Sequence, residues 1–258
     1  KRTLQRDLKE IRNVFGIDIL DYNTNRTLIL LTILALLDGE VVDKKDFNIL
    51  CSDSLRLKAN NVFPRNPRGK FNFIVGNPPY VKFQDLTNEM RAFLSTGWYS
   101  INQGTFNLFY AFFELGYNLL TSNGRLGYIT PNNYFTSLAG QSLREFFKSK
   151  KCLYKIVDFN HKKVFDAQTY TAISFLGKEE AHNILYDRIR ESLSPSSFLN
   201  NLAFSSISLD GQMSQKWRLL KSDEQNNIKT IETIGSPLNK LFDIRVGIAT
   251  LKDDLYFI

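Results

Sequence analysis

The chain has 258 residues, 43% of them apolar, enough to bury the core of one large domain or of one domain plus part of another. Lys and Arg exceed Asp and Glu by 33 to 26, a net charge of +7 that favours a polyanionic partner. Cys51 and Cys152 lie far apart without metal-ligand spacing, no signal-peptide pattern is seen, and the longest apolar run, residues 28–37, falls short of the ~20 residues needed to cross a bilayer, so metal-free chemistry in a reduced, cytoplasmic setting away from the membrane is expected.

Residues 1–12 place Leu4, Leu8 and Ile11 at helical spacing among charges and predict an amphipathic helix. Residues 14–19 read as a short strand carrying Asp18 at its end, and residues 22–37 as a strongly apolar helix with a buried face. A strand, an acid and a helix in that order recur in nucleotide-binding folds, where the acid accepts hydrogen bonds from ribose hydroxyls. Asp18 also suits a helix N-cap. Residues 47–51 form the next strand, and Asp53 follows it between Ser52 and Ser54, as an Asx-turn residue or as a ligand contact. Residues 60–70 are a basic loop rich in Pro, Gly and Asn, in which Arg65, Arg68 and Lys70 are solvated cations or phosphate contacts.

Phe71-Asn72-Phe73-Ile74-Val75-Gly76 is rich in β-branched and aromatic residues and ends at Gly and Pro, which predicts a buried strand. Asn77-Pro78-Pro79-Tyr80 follows at its carboxyl end, where open α/β sheets bind their ligands. Each proline fixes φ, lacks an N–H and pushes the residue before it to extended geometry, so Asn77 and Pro78 are both held extended. The Asn77 side-chain oxygen and the Pro78 carbonyl can then converge on an exocyclic amino group, which offers two N–H donors. Accepting both hydrogens localises the nitrogen lone pair and makes it a better nucleophile. Tyr80 supplies a flat face on which a base can stack. A Pro-Pro turn closing a strand is the plainer reading, but these four residues in this order after such a strand favour the chemical one.

Residues 81–104 are polar and irregular, with Trp98 and Tyr99, and read as a loop that closes over the site or packs on it. Residues 105–120 predict a long buried helix whose aromatics are mainly core. Asn123-Gly124 predicts a tight turn into a strand over 125–130, Pro131-Asn132-Asn133 follows it, and 138–150 is helical. Residues 153–160 and 169–176 read as two strands around a loop that holds His161, Lys162, Lys163 and Phe165. His161 has no partner pattern and receives no catalytic role. From Arg144 to Lys163, seven Lys and Arg stand against two acids, a local +5 that reads as a phosphate-tracking face or as a charged helix surface. Leu193-Ser194-Pro195-Ser196-Ser197 is a linker by composition, 231–242 a short helix, and 243–258 the beginnings of two strands. The expected domains are 1–192 and 193–258.

Val75-Gly76-Asn77-Pro78-Pro79-Tyr80-Val81 resembles the signature of S-adenosylmethionine-dependent amino-group methyltransferases. It is most similar to the N6-adenine DNA methyltransferases of restriction–modification systems, in the gamma class and its fused, type IIG-like relatives. The succession of helix, Asn-Gly-Arg, strand and Pro-Asn up to residue 133 is similar to the same enzymes, and 243–258 to the start of their target-recognition domain. The resemblance covers most of the chain. It implies an α/β fold, the Rossmann-like sheet of S-adenosylmethionine-dependent methyltransferases with a terminal antiparallel hairpin over 153–176. It implies that S-adenosylmethionine is bound by Asp18, Asp53, Ser54 and Asn77. Asp18 would take the ribose, Asp53 the adenine amino group, Ser54 a place beside the ring, and Phe106-Asn107 would face the pocket.

By the same resemblance the catalytic residues are Asn77, Pro78, Pro79 and Tyr80, Phe165 stacks on an extruded adenine opposite Tyr80, and Lys162 and Lys163 touch the DNA. Phe165 equally suits a hydrophobe that closes the hairpin. Double-stranded DNA is the expected partner, with a fused or separate nuclease or specificity module, although no nuclease cluster of the Pro-Asp…Glu-x-Lys kind occurs in this chain. The family's glycine-rich loop, which holds the methionine end of the cofactor, should precede Val14. The first fifteen residues contain no glycine, so a fragment that begins in the helix after that loop, without the first strand of the sheet, is expected. The same tetrapeptide also serves enzymes that methylate a protein glutamine amide or an RNA base. A non-catalytic DNA-binding remnant is the third reading.

Overall fold

Short strands linked by helices build two sheets. The computed structural model describes residues 13–57, 62–101, 104–165, 170–208, 216–220 and 222–244. Strand β1 (Phe15–Asp18) leads through helix α1 (Asp21–Leu37) to β2 (Asn48–Cys51), which pairs in parallel with β1 and sets Asp18 opposite Cys51. The second sheet holds β3 (Phe71–Gly76), β4 (Leu120–Pro131), β5 (Leu153–Asp158), β6 (Thr171–Gly177), β7 (Asn183–Arg188) and β8 (Ser205–Ser208), in the spatial order β3-β4-β6-β5-β7-β8. Strands β3 and β4 are parallel, as are β5 and β7, whereas β6 runs antiparallel between β4 and β5. The antiparallel hairpin expected at the end of the Rossmann-like sheet is present, and the sheet is mixed, since β8 also pairs antiparallel with β7. Reversing β6 lets a loop join it to β5, where a parallel pair would need a crossover of a dozen residues or so.

The core lies between the six-stranded sheet and helices α3 (Phe109–Leu119) and α4 (Gln141–Lys150). Phe109, Tyr110, Phe113, Tyr134, Phe146 and Phe147 are buried there and meet mostly edge to face, the arrangement that ring quadrupoles favour. Arg144 is fully buried among them, and its guanidinium donates to the carbonyls of Tyr134 (2.6 Å) and Ser137 (2.8 Å), which ties α4 to the turn after β4. Helix α3 starts at Phe109 rather than at 105. The Phe106 carbonyl accepts from Phe83 N and Leu108 N donates to the Val81 carbonyl, so this stretch is committed to an antiparallel contact with the chain after β3.

Two expectations of burial fail. Helix α1 was expected to bury an apolar face, yet Ile29, Leu30, Leu36 and Leu37 are more than half exposed and only Thr24 and Ala35 are buried. The helix is apolar all round, and a sheet of two strands is too narrow to cover more than one stripe of it. Strand β3 forms where expected but is not buried: Phe73 is 79% and Val75 84% exposed. It pairs with β4 on one side only and is the edge of its sheet, and no hydrogen-bonded pairing joins β3 to β1 among the described residues. Where β1 and β3 begin, Phe15, Phe63 and Phe71 pack edge to face.

Asn123-Gly124 does not precede β4 but lies inside it. The register runs from Phe71↔Leu120 to Phe73↔Arg125, so the turn forms as an irregularity within one twelve-residue strand. A Cβ on Gly124 would stand 2.9 Å from the Phe71 carbonyl, which is the reason for glycine at this close approach. The stretch expected as linker opens α5 (Pro195–Asn200), with Ser194 as its N-cap, and β8 then extends the sheet beside β7. By contacts the chain divides into units 1–217 and 218–258. In the second unit the helix expected over 231–242 is replaced by α6 (Ser222–Ile234) and α7 (Leu238–Leu241). The helix expected over 1–12 and the strand beginnings from 245 onward lie outside the described residues.

Candidate active site

Because β3, β4 and β5 run the same way, their carboxyl ends come together at one end of the sheet. They deliver Asn77–Tyr80, Pro131-Asn132 and Asp158-Phe159-Asn160. Asn77 is exposed, and its side-chain amide has no hydrogen-bond partner among the described residues. Pro78 is buried and Pro79 exposed. Tyr80 is half-buried. Its hydroxyl donates to the Ile129 carbonyl in β4 (3.2 Å), and its ring meets that of Phe109 edge-on at 6.3 Å. Burial pushes that hydroxyl up to about 12, so it keeps its proton at neutral pH and goes on donating. The motif therefore pairs one amide without a protein partner with one ring held in place by its neighbours.

The segment after the motif is fastened down. Arg91 on helix α2 (Asn88–Leu94) donates to the carbonyls of Phe83 (3.0 Å) and Gln84 (2.7 Å), and its guanidinium stacks 4.9 Å from the centre of the Phe83 ring. Ser100 N donates to the buried Glu114 carboxylate (2.8 Å). Lys82 pairs with Asn107 across the antiparallel contact, and Asn107 Oδ1 is buried without a hydrogen-bond partner. A buried acceptor left unmet beside the motif is where a ligand donor would be satisfied.

The two expected cofactor acids sit at the ends of β1 and just past β2. Asp18 Oδ1 accepts from Leu20 N (2.8 Å), and both its oxygens receive the Asn23 amide (3.2 and 3.1 Å). Asp53 Oδ1 accepts from Leu55 N (3.0 Å), and Oδ2 faces Arg56 Nε at 3.3 Å. Arg56 also pairs with Glu89 on α2 (2.9 Å) and lies over the Phe93 ring. Asp53 thus makes the Asx-turn contact named as its plain alternative, whereas Asp18 is not the N-cap of α1: Leu20 holds that place without a side-chain hydrogen bond, and Asp18 makes a turn contact to Leu20 N. Each carboxylate has about four acceptor sites, so those contacts leave room for a ribose diol or an amino group. Ser54 lines an apolar hollow with Ile17, Leu57, Val62, Phe63 and Phe71. That hollow is also walled by Leu115 and Leu119, lies where β3 begins and includes neither acid; the two acids themselves suit the hydroxyls and amine of the nucleoside half of S-adenosylmethionine. The described residues hold no glycine-rich loop for its methionine end.

In the β5–β6 loop, Val164 packs on the cluster of Val157, Phe159, Ile189 and Phe198, while Phe165 is 39% exposed. The hairpin-closing contact named as the alternative for Phe165 is made by Val164. Lys162 and Lys163 share this loop with Phe165; its residues 166–169 lie outside the described residues. The basic run from Arg144 does not form one face. Lys148 and Lys150 lie in the last turn of α4, before β5 begins, and Lys162 and Lys163 lie beyond its end. Six strand residues separate the two groups by roughly 20 Å. Lys155 lies between them against the rings of Tyr154, Phe175 and Phe204, and Arg144 is in the core.

Sequence reasoning passed over Asp158, which is 4% exposed and accepts from Asn132 Nδ2, Asn160 N and Tyr186 OH. The one available signal was an acid closing a strand that is apolar but for Lys155. Among the described residues no group of three His, Cys, Asp or Glu is placed to hold a metal, and no helix is long and apolar enough to cross a membrane.

The fold matches known methyltransferases. Over 83% of this chain and 22% of the other, at a TM-score of 0.60 and 18% identity, it superposes on a nuclease-deletion mutant of the Type ISP restriction-modification enzyme LlaGI, solved in complex with a DNA substrate mimic. Over 72% of this chain and 52% of the other, at a TM-score of 0.51 and 17% identity, it matches a Listeria monocytogenes protein described as a class I S-adenosylmethionine-dependent methyltransferase. The architecture is that of the class I S-adenosylmethionine-dependent methyltransferases. Within that class, residues 12–165, more than half of the chain, match the Eco57I restriction-modification methylase family, and the chain belongs to that family. The type II restriction enzyme and methyltransferase RM.Eco57I of Escherichia coli is 30% identical over 202 residues, which are 69% of this chain and 20% of that protein. The chain spans about a fifth of the length of the curated relatives that it matches.

Proposed function

We propose that this protein transfers a methyl group from S-adenosylmethionine to N6 of an adenine turned out of double-stranded DNA, as the modifying activity of a restriction–modification system. The observation that carries the reading is the exposed Asn77 amide, without a hydrogen-bond partner among the described residues, at the carboxyl end of β3 and near a tyrosine fixed through Ile129. Membership of a restriction–modification methylase family supports DNA as the substrate, as do the net charge of +7 and the exposed loop with Lys163 and Phe165. N6 lies inside the paired stack, so the adenine must leave the duplex before it can react.

Asn77 Oδ1 and the Pro78 carbonyl accept the two N6 hydrogens, and Pro79 holds Pro78 extended for that purpose. Tyr80 and Phe165 stack on the two faces of the ring. Asp18 holds the ribose of the cofactor and Asp53 its amino group, with Ser54 beside the ring. When bound, S-adenosylmethionine would supply a sulfonium methyl to the N6 lone pair, with the neutral thioether as its leaving group and the spare N6 proton released to water. Positioning and lone-pair polarisation carry the rate, without a metal or a covalent enzyme intermediate.

In the full-length protein, Asn77→Ala is expected to abolish transfer of tritiated methyl to DNA while largely sparing DNA binding. Equal loss of both would overturn the assignment. The same assay run on DNA, RNA and release-factor protein separates base methylation from glutamine methylation.

A further inference from the structure

We propose that Asp158 is a positioning residue, the carboxylate that holds the two loops flanking the target base in register with each other. This rests on the methyl-transfer reading above and adds to it a residue that touches neither substrate nor cofactor. Asp158 closes β5 and is buried. Oδ1 accepts from the Asn132 side chain (3.0 Å) and from Asn160 N (2.8 Å), and Oδ2 accepts from the Tyr186 hydroxyl (2.8 Å).

Each partner leads to a different part of the site. Asn132 opens the turn after β4, three residues beyond Ile129, whose carbonyl holds the Tyr80 hydroxyl. Its backbone N donates to the Tyr170 carbonyl (3.0 Å), which anchors that turn to the residue before β6. Asn160 begins the loop that carries Lys162, Lys163 and Phe165, and its φ of +47° turns the chain there. Tyr186 belongs to β7 and fixes the carboxylate to the sheet. One buried group therefore sets the loop with Phe165 against the strand that holds Tyr80, the two rings assigned to the base. An apolar residue would fill the same volume without the desolvation penalty of a buried carboxylate. What the carboxylate adds is direction, because it accepts from both loops at once.

The test uses the full-length protein and a duplex carrying the site that the wild type methylates, with 2-aminopurine at the target position. Fluorescence then reports extrusion of the base, tritiated methyl transfer reports kcat and KM, and thermal unfolding reports stability. Asp158→Asn is expected to lower the fluorescence gain and to cut kcat roughly ten- to a hundredfold, with KM for DNA and cofactor moving about twofold or less. Asn132→Ala is expected to do the same, and the double variant to be no worse than either single one. Tyr186→Phe, which removes the bond that fixes the carboxylate to the sheet but spares both loop contacts, is expected to lower the melting temperature and to cut kcat less than Asp158→Asn does. If Asp158→Asn does not fold, Asn132→Ala on the partly exposed turn carries the test alone.

Folded Asp158→Asn or Asn132→Ala protein with wild-type kcat and fluorescence overturns the inference, and so do additive losses. The underlying reading fails separately. If the wild type methylates no DNA, or if Asn77→Ala stays active, both fall. If Asn77→Ala is dead and Asp158→Asn is like the wild type, only this inference falls.

Discussion

Buried tyrosines shape how the core responds to alkali, together with the buried Cys152 thiol, which burial pushes up from 9.0 to about 12 and which adds a loss of the same sign from about pH 9. Burial pushes Tyr110 up from 10.0 to about 12, and Tyr128 and Tyr134 further up. A folded value above the unfolded one stabilises the native state fully below the unfolded value, and the stabilisation is lost as pH rises towards the folded one. The melting temperature is therefore expected to be insensitive to these groups near neutrality and to fall from about pH 9 upward, with a shallower fall above about pH 10 in Tyr110→Phe. Thermal unfolding at successive pH values checks this. The place of Asn77 and Tyr80 just past the end of a strand was readable in the sequence, since two prolines stop that strand whatever the fold. Asp158 was not. Its role depends on Asn132 and Tyr186, 26 and 28 residues away in sequence, and only the assembled sheet brings them together.

Among the elements, α3 and β4 make the tightest joint. A Cβ on Gly116 would collide with Leu126 Cδ1 and stand 2.7 Å from the Tyr128 hydroxyl, and both of those side chains are buried. Alanine or valine would gain helix propensity over glycine, worth about 1 kcal/mol for alanine, but overpacking a filled core costs about 1–3 kcal/mol, and valine adds two further methyl groups. Gly116→Val is therefore expected to be destabilised by about 1–3 kcal/mol in denaturant unfolding, with an unchanged dependence on denaturant concentration. Elements with strong composition were legible: β1, β2, β3, β5 and β6 stand close to where hydrophobic patterning placed them. Strand β8, Ser205–Ser208, was not, because Ser-Ser-Ile-Ser has a single apolar side chain and becomes a strand only when β7 supplies its hydrogen bonds. Exposure was the other failure. Composition says that β3 and α1 are apolar but not which neighbours cover them.

At the scale of the whole molecule, the parallel order of β3 and β4 and the reversed hairpin place Asn77–Tyr80, the Pro131-Asn132 turn and the Phe165 loop at one end, with the last lysines of α4 at the other. A linear count of charge could not show that separation, because one strand length turns a single basic run into two distant groups. The fold has a second consequence, at its open border. Strand β3 has a free edge among the described residues, and two large apolar side chains stand exposed on it. Unpaired strand edges of this kind recruit other chains into intermolecular sheets unless a charge, a proline or a covering element blunts them. The 258-residue polypeptide, concentrated in solution, is thus expected to scatter light increasingly with concentration. Phe73→Lys combined with Val75→Lys should suppress that clumping by placing ammonium groups where two such borders would zip together.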